Sequence, residues 1–183
     1  MDGRPVARHR IERSAFELLD AAALCAVSTV SPRAAAHVAT VYFAWNREFE
    51  IVWLSAITSR HSRNIDARAG AAIAVYDSGQ VWGDPDRGIQ LFGSARRLAA
   101  AEAASAAALY AARFEGYAPT DLAAYRVYGF RAERLTVFDE PVFGPGVFVT
   151  AVVRDDDRRL VWERTDVLSG AAAGATRRGG RRR

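Results

Sequence analysis

The chain has 183 residues, half of them hydrophobic and a quarter charged, with a formal net charge of +4. Every one of the 25 basic residues is arginine, and five stand in the final "RRGGRRR"; the remainder sets 20 arginines against 21 acids and is close to neutral. This is the composition of one globular domain with a sizeable core. It excludes a membrane-spanning chain, since no apolar run approaches the ~20 residues a span needs.

The high isoelectric point belongs to the tail, which reads as a solubilising end, so neither nucleic acid nor a membrane is an expected partner. The single cysteine, Cys25, lies in the apolar "ALCAVSTV". A disulfide framework and a cysteine zinc site are excluded, and a buried inert thiol is expected. The opening "MDGRPVARHRIERSAF" lacks the apolar segment of a secretory signal, so the expected location is the cytoplasm.

Residues 1–10 read as a flexible arm. Ile11, Ala15, Leu18 and Leu19 share helical spacing and predict a helix over 11–22. "ALCAVSTV" (23–30) reads as a strand and "SPRA" as a turn. "AHVATVYFAW" (36–45), rich in β-branched and aromatic residues, predicts a second strand, and "FEIVWLS" (49–55) the other arm of a hairpin with it. A helix follows at about 59–68, then strands at 71–77 and 88–98, the latter with Gly93 marking a bulge or close approach. "AAAEAASAAALYAARF" (99–114) is a helix, a Pro-containing loop follows, and 125–139 is a further strand. "GVFVTAVV" and "RRLVW", joined by "RDDD", form a terminal hairpin. The expected units are a barrel domain over 11–153, an extension with a hairpin strand over 154–168, and a disordered basic tail over 169–183. Many strands at hairpin spacing with few helices point to a mainly β fold: an antiparallel sheet closed into a barrel with helices flanking it.

One stretch breaks a local rule. "SAITSRHSRNID" starts a helix with Arg60, His61 and Arg63 and has no acid before Asp66, although the positive end of a helix dipole favours acids. An anion resolves the conflict. The first N–H groups of a helix point outward without partners. Arg60 adds a planar fork suited to phosphate, and Ser55, Thr58, Ser59 and Ser62 offer hydroxyls. A solvated arginine-rich helix face behind a serine cap accounts for the same residues equally well. His9, His37 and His61 show no metal-ligand spacing, so no metal site is expected. With no nucleophile or acid–base pair in view, any chemistry belongs to a cofactor.

The ordered series "CAVSTVSPRAAAHVATVYFAW", "FEIVWLSAITSRHSRNIDARAGAAIAVYD", "GIQLFGSARRL" and "VYGFRAERLTVFDEPVFG" resembles the pyridoxamine 5′-phosphate oxidase-like split-barrel flavoproteins over about residues 15–146. The resemblance implies a six-stranded antiparallel split β-barrel, a homodimer, and a flavin between subunits. Its phosphate-binding Ser-Arg-Lys matches Ser59 and Arg60, with His61 in place of the lysine, and Ser55 matches the serine or threonine at the strand end. The strand bordering the flavin ring matches Val38, Ala39, Thr40 and Val41. A ring-contacting glutamine falls at Gly88, with Gln90 two residues on and on the same face. The implied function is an FMN-dependent oxidoreductase passing hydride to or from a small molecule. The alternatives are a deazaflavin (F-420) reductase and a non-catalytic flavin- or haem-binding dimer. The oxidase's own C-terminal substrate-binding segment is not visible.

Overall fold

The computed structural model describes residues 3–115 and 124–168. The elements are α1 (Arg8–Ala21), β1 (Leu24–Val30), β2 (Ala36–Tyr42), β3 (Ala44–Trp45), β4 (Glu50–Ala56), α2 (Arg60–Ala67), β5 (Gly70–Tyr76), β6 (Arg87–Arg97), α3 (Ala100–Arg113), β7 (Tyr125–Asp139), α4 (Glu140–Phe143), β8 (Val147–Val153) and β9 (Leu160–Val167). The predicted tail at 169–183 and most of the loop after α3 lie outside the described residues.

All pairings are antiparallel and the strands run in the order β2-β1-β5-β6-β7-β4-β3. The predicted strand 36–45 is two strands. It breaks at Phe43, β2 pairing with β1 while β3 pairs with β4. One chain segment thus joins the last strand of the path to the first and closes the barrel. The expected long hairpin shrinks to the two residue pairs Ala44–Val52 and Trp45–Ile51. The described residues hold nine strands, one more than the eight runs read as strands, because the run 36–45 is divided; the expected terminal hairpin, β8–β9, is laid on β7.

Alternation decides the core. On β1 the inward Cys25, Val27 and Thr29 are buried. Ile73, Leu91, Leu135, Trp53, Tyr128 and Phe130 fill the barrel, and Ile11, Ala15, Leu18 and Leu19 of α1 pack on it. A smaller cluster of Val52, Val127, Ala106 and Tyr110 lies under α3. At Gly93 the β6–β7 register slips, as predicted. A Cβ there would stand 2.1 Å from the Arg131 carbonyl oxygen, so only glycine admits the close approach.

Two polar fastenings join the layers. Asp139, fully buried at the end of β7, accepts both Nε and Nη2 of Arg87 at 3.0 Å and the Ser14 hydroxyl at 2.5 Å. Arg113 at the end of α3 donates to the Leu19, Asp20 and Ala22 carbonyls, capping the carbonyls that end α1.

The amino-terminal arm is shorter than expected and attached. α1 begins at Arg8, Gly3 donates its N–H to the Thr165 carbonyl at 3.0 Å, and the Thr165 hydroxyl donates to the Arg4 carbonyl at 3.1 Å. β9 thus supplies the backbone partner that a free arm would lack.

The outward face of β2-β1-β5-β6 is unusual for what it lacks. Ala26, Ser28, Ala72 and Ala74 occupy its centre, so the surface there is shallow and small-chained.

Candidate functional site

β4 runs into α2 through the turn at Ile57–Thr58, and the helix starts at Arg60 with Ser59 as its cap. The Ser59 hydroxyl oxygen accepts the Ser62 N–H at 3.2 Å, lies 3.2 Å from the Ser55 hydroxyl, and donates to the Ser62 hydroxyl at 2.7 Å. The two ring nitrogens of His61 lie 3.4 and 3.3 Å from the same oxygen. Ser55, Ser59, His61 and Ser62 therefore form one knot at the helix start. Ser55, His61 and Ser62 are buried. Asn64 ties the helix to β1 by donating to the Thr29 hydroxyl at 3.0 Å.

Three nitrogen-bearing side chains at the knot differ in freedom. Arg63 donates to the Thr58 carbonyl at 2.6 Å and braces the turn. Arg60 is exposed and has no hydrogen bond or ion pair among the described residues. His61 lies parallel to His37 of β2, ring centres 6.4 Å apart and planes 8° apart. Burial lowers the His61 pKa below its ordinary 6.5, and the neighbouring His37 lowers it further.

The arrangement fits a phosphate-bearing group. Ser62 N–H is used by the cap, but the first helical N–H groups, of Arg60 and His61, have no intrahelical acceptor. They face outward beside an uncommitted guanidinium. β2 carries a second fitting feature: β1 pairs one of its edges, and among the described residues no strand pairs the other. Backbone donors and acceptors over Val38–Val41 are thus available on that side. Ala39 and Val41 point inward and are half-buried, while Val38 and Thr40 point outward.

The predicted residues do not all meet. Ser55, Thr58, Ser59, Arg60 and His61 gather at the start of α2, with β2 beside them through His37. Gln90 does not join them. It lies in the row Thr40–Ala26–Ala74–Gln90, three strand spacings from β2, or about 14 Å at the usual inter-strand distance. Gly88 explains the missing glutamine physically. A Cβ on Gly88 would lie 2.2 Å from Cζ of Phe138, so the phenylalanine ring occupies the space a side chain would take.

Sequence reasoning missed two participants. Arg33, in the β1–β2 turn, shares a groove of about 690 Å³ with Pro32, Ala35, His37, Arg60 and Arg63. For His37 the sequence suggests a strand position and, by its spacing, no metal ligand; its stacking on His61 is visible only in the fold. Neither has a local signal, because both reach α2 through strand pairing.

An antiparallel barrel with an anion-receptive helix start beside an unpaired strand edge is the class of protein this geometry defines. The family model for pyridoxamine 5′-phosphate oxidase matches residues 11–139, and the chain belongs to that family. No curated protein matches the chain. Solved structures are similar in fold. One is a protein of unknown function from Agrobacterium tumefaciens, 22% identical with a TM-score of 0.62 over 74% of this chain. This chain spans only 57% of that protein's length. Another is an F420 reductase, 20% identical with a TM-score of 0.52, covering 65% of this chain and 93% of that one. A third is the haem storage protein HutZ from Vibrio cholerae, 18% identical with a TM-score of 0.60, covering 70% of this chain and 95% of the other. At these identities the likeness is one of fold. Among the described residues no group of three or more metal-ligating side chains occurs, and no helix is long and apolar enough to cross a membrane.

Proposed function

We propose that the protein is an FMN-dependent oxidoreductase acting on a small molecule as a homodimer. The observation that carries the reading is the uncommitted Arg60 at the start of α2, set over the Ser55–Ser59–His61–Ser62 knot and beside the unpaired edge of β2. Arg60 and the first N–H groups of α2 hold the cofactor phosphate, over the cap that Ser59 makes. The free edge of β2 over Val38–Val41 aligns the ring by backbone hydrogen bonds, and Thr58 closes the turn above it. Bound there, the flavin supplies hydride transfer. His61 enters neutral, so it orients Ser59 without adding a third positive charge. The small-chained outer face of β2-β1-β5-β6 is the surface on which two subunits meet. Gln90 belongs to that face and points toward the second subunit.

A deazaflavin is the second reading, favoured by the groove carrying Arg33 and Arg63 beyond Arg60, which suits a cofactor with further anionic groups. The test is a fluorescence titration of the purified protein with FMN and, separately, with F420. The preferred cofactor binds in the wild type. Arg60→Ala weakens binding about tenfold or more, the loss of a hydrogen bond to a charged group, while the melting temperature of the free protein is unchanged. Equal affinity in wild type and variant removes the site. Haem binding with no response to either flavin replaces the mechanism and keeps the fold.

A further inference from the structure

The loop between β5 and β6 carries the most exposed apolar pair among the described residues: Trp82 is 100% exposed and Val81 64%. The loop is braced. Gly79 N–H donates to Asp77 Oδ1 at 2.7 Å, Arg87 N–H to Gln80 Oε1 at 2.6 Å, and Asp84 N–H to the Val81 carbonyl at 3.0 Å. A braced loop that presents an indole to water is built to meet something. It adjoins a row of outward apolar side chains at the same end of the sheet, Tyr42, Leu24 and Tyr76, exposed by 57%, 43% and 52%. Around the tip stand Asp77, Asp84 and Asp86, all exposed.

The opposite end of the same sheet has the complementary character. There the β1–β2 turn offers Pro32, Ala35 and Ala36 as a shallow apolar wall, with Arg33 on its rim. The two ends are separated within one chain by the seven residues of β1, about 20 Å at the usual strand rise, so a chain cannot satisfy its own tip. Two sheets packed face to face about an axis across the strands bring each tip to the other's turn.

We propose that the Val81–Trp82 tip docks on a second copy of this chain, seating Trp82 against Pro32, Ala35 and Ala36 with its acids beside Arg33. The proposal rests on the two-subunit reading above. It adds that each groove beside the phosphate site is walled by the other subunit's loop.

The double variant Val81→Cys/Ala35→Cys, which keeps Trp82 and Arg33, tests it. A disulfide needs its two Cα atoms within about 7 Å, so the pair closes only between chains. Mild oxidation yields a covalent dimer on a non-reducing gel, while each single variant runs at one chain mass. Trp82→Asp raises the dimer dissociation constant about tenfold or more by sedimentation, as loss of a buried tryptophan anchor does. A double variant that stays single while light scattering shows a wild-type dimer overturns the docking and leaves the two-subunit reading intact. A covalent dimer from either single variant places like residues together and overturns the seat. An unchanged dissociation constant in Trp82→Asp overturns it too. A wild type that is monomeric at every concentration overturns both readings.

Discussion

Residues at the α2 start divide into those that hold the structure and those left free. Ser59 spends its hydroxyl on the cap and Arg63 on a carbonyl, while Arg60 is bound to neither. That division follows from position along the helix. The cap must satisfy N–H groups of the first turn, and a side chain at the first helical position projects past them. His61 is the residue with a pH signature. Burial, then His37, lowers its pKa below 6.5, so between the lowered value and 6.5 the unfolded chain binds a proton that the folded chain refuses. Stability from this group is complete above the ordinary imidazole pKa and is lost as pH falls from there through the lowered one. Thermal melts of the cofactor-free protein, from neutral to mildly acidic pH, show a steeper fall in wild type than in His61→Asn. Equal slopes dismiss His61 as the titrating group. Ser55, Ser59 and Arg60 were legible in the sequence because a basic helix start contradicts the dipole rule. Arg33 and His37 were not, because their nearness to α2 is created by β1–β2 pairing across a register no local pattern reveals.

At the scale of elements, the sequence located three of the four helices among the described residues and most strands to within a few residues, and missed the short α4. It failed where the chain changes partner. The run 36–45 stays apolar from Val41 through Trp45, so nothing in its pattern announces that one half pairs β1 and the other β4. The two glycines of β6 separate two kinds of constraint. At Gly93 the obstacle is backbone, and at Gly88 it is the far end of the Phe138 ring. Gly93→Ala therefore destabilises by about 3 kcal/mol or more, at or beyond the upper end of overpacking costs. Gly88→Ala costs less, and Phe138→Leu in the same chain recovers part of it. Urea unfolding of the three variants checks the order, and equal costs for the two single changes contradict it. The Asp139–Arg87–Ser14 fastening makes a larger claim. Arg87→Leu leaves the Asp139 carboxylate buried without its cation, a change worth about 3–5 kcal/mol in comparable pairs. A midpoint shift within experimental error in the same assay would mean that the pair contributes nothing.

The whole molecule joins a barrel closed by a bent segment to a hairpin laid on its flank, with an arginine at each seam. Arg158, from the β8–β9 turn, donates to the Ala132 carbonyl at 2.8 Å and the Glu48 carbonyl at 3.2 Å, fixing the hairpin to the barrel. The family and the barrel class were readable from the order of the strands and the Ser-Arg helix. The attached amino-terminal arm was not, because its partner, Thr165, lies at the other end of the chain.

Cys25 carries a practical consequence. The thiol is 2% exposed, and burial pushes its pKa up to about 12 against the opposing pull of Arg113. A thiol so placed is silent toward electrophiles. Ellman's reagent finds no thiol in the native protein and one per chain in denaturant; a native signal means the barrel opens. With the native thiol silent and no lysine in the chain, a cysteine introduced at the surface is the single accessible thiol on the folded molecule. Fluorophores and spin labels can then be placed one at a time, and distances measured directly, without first removing anything.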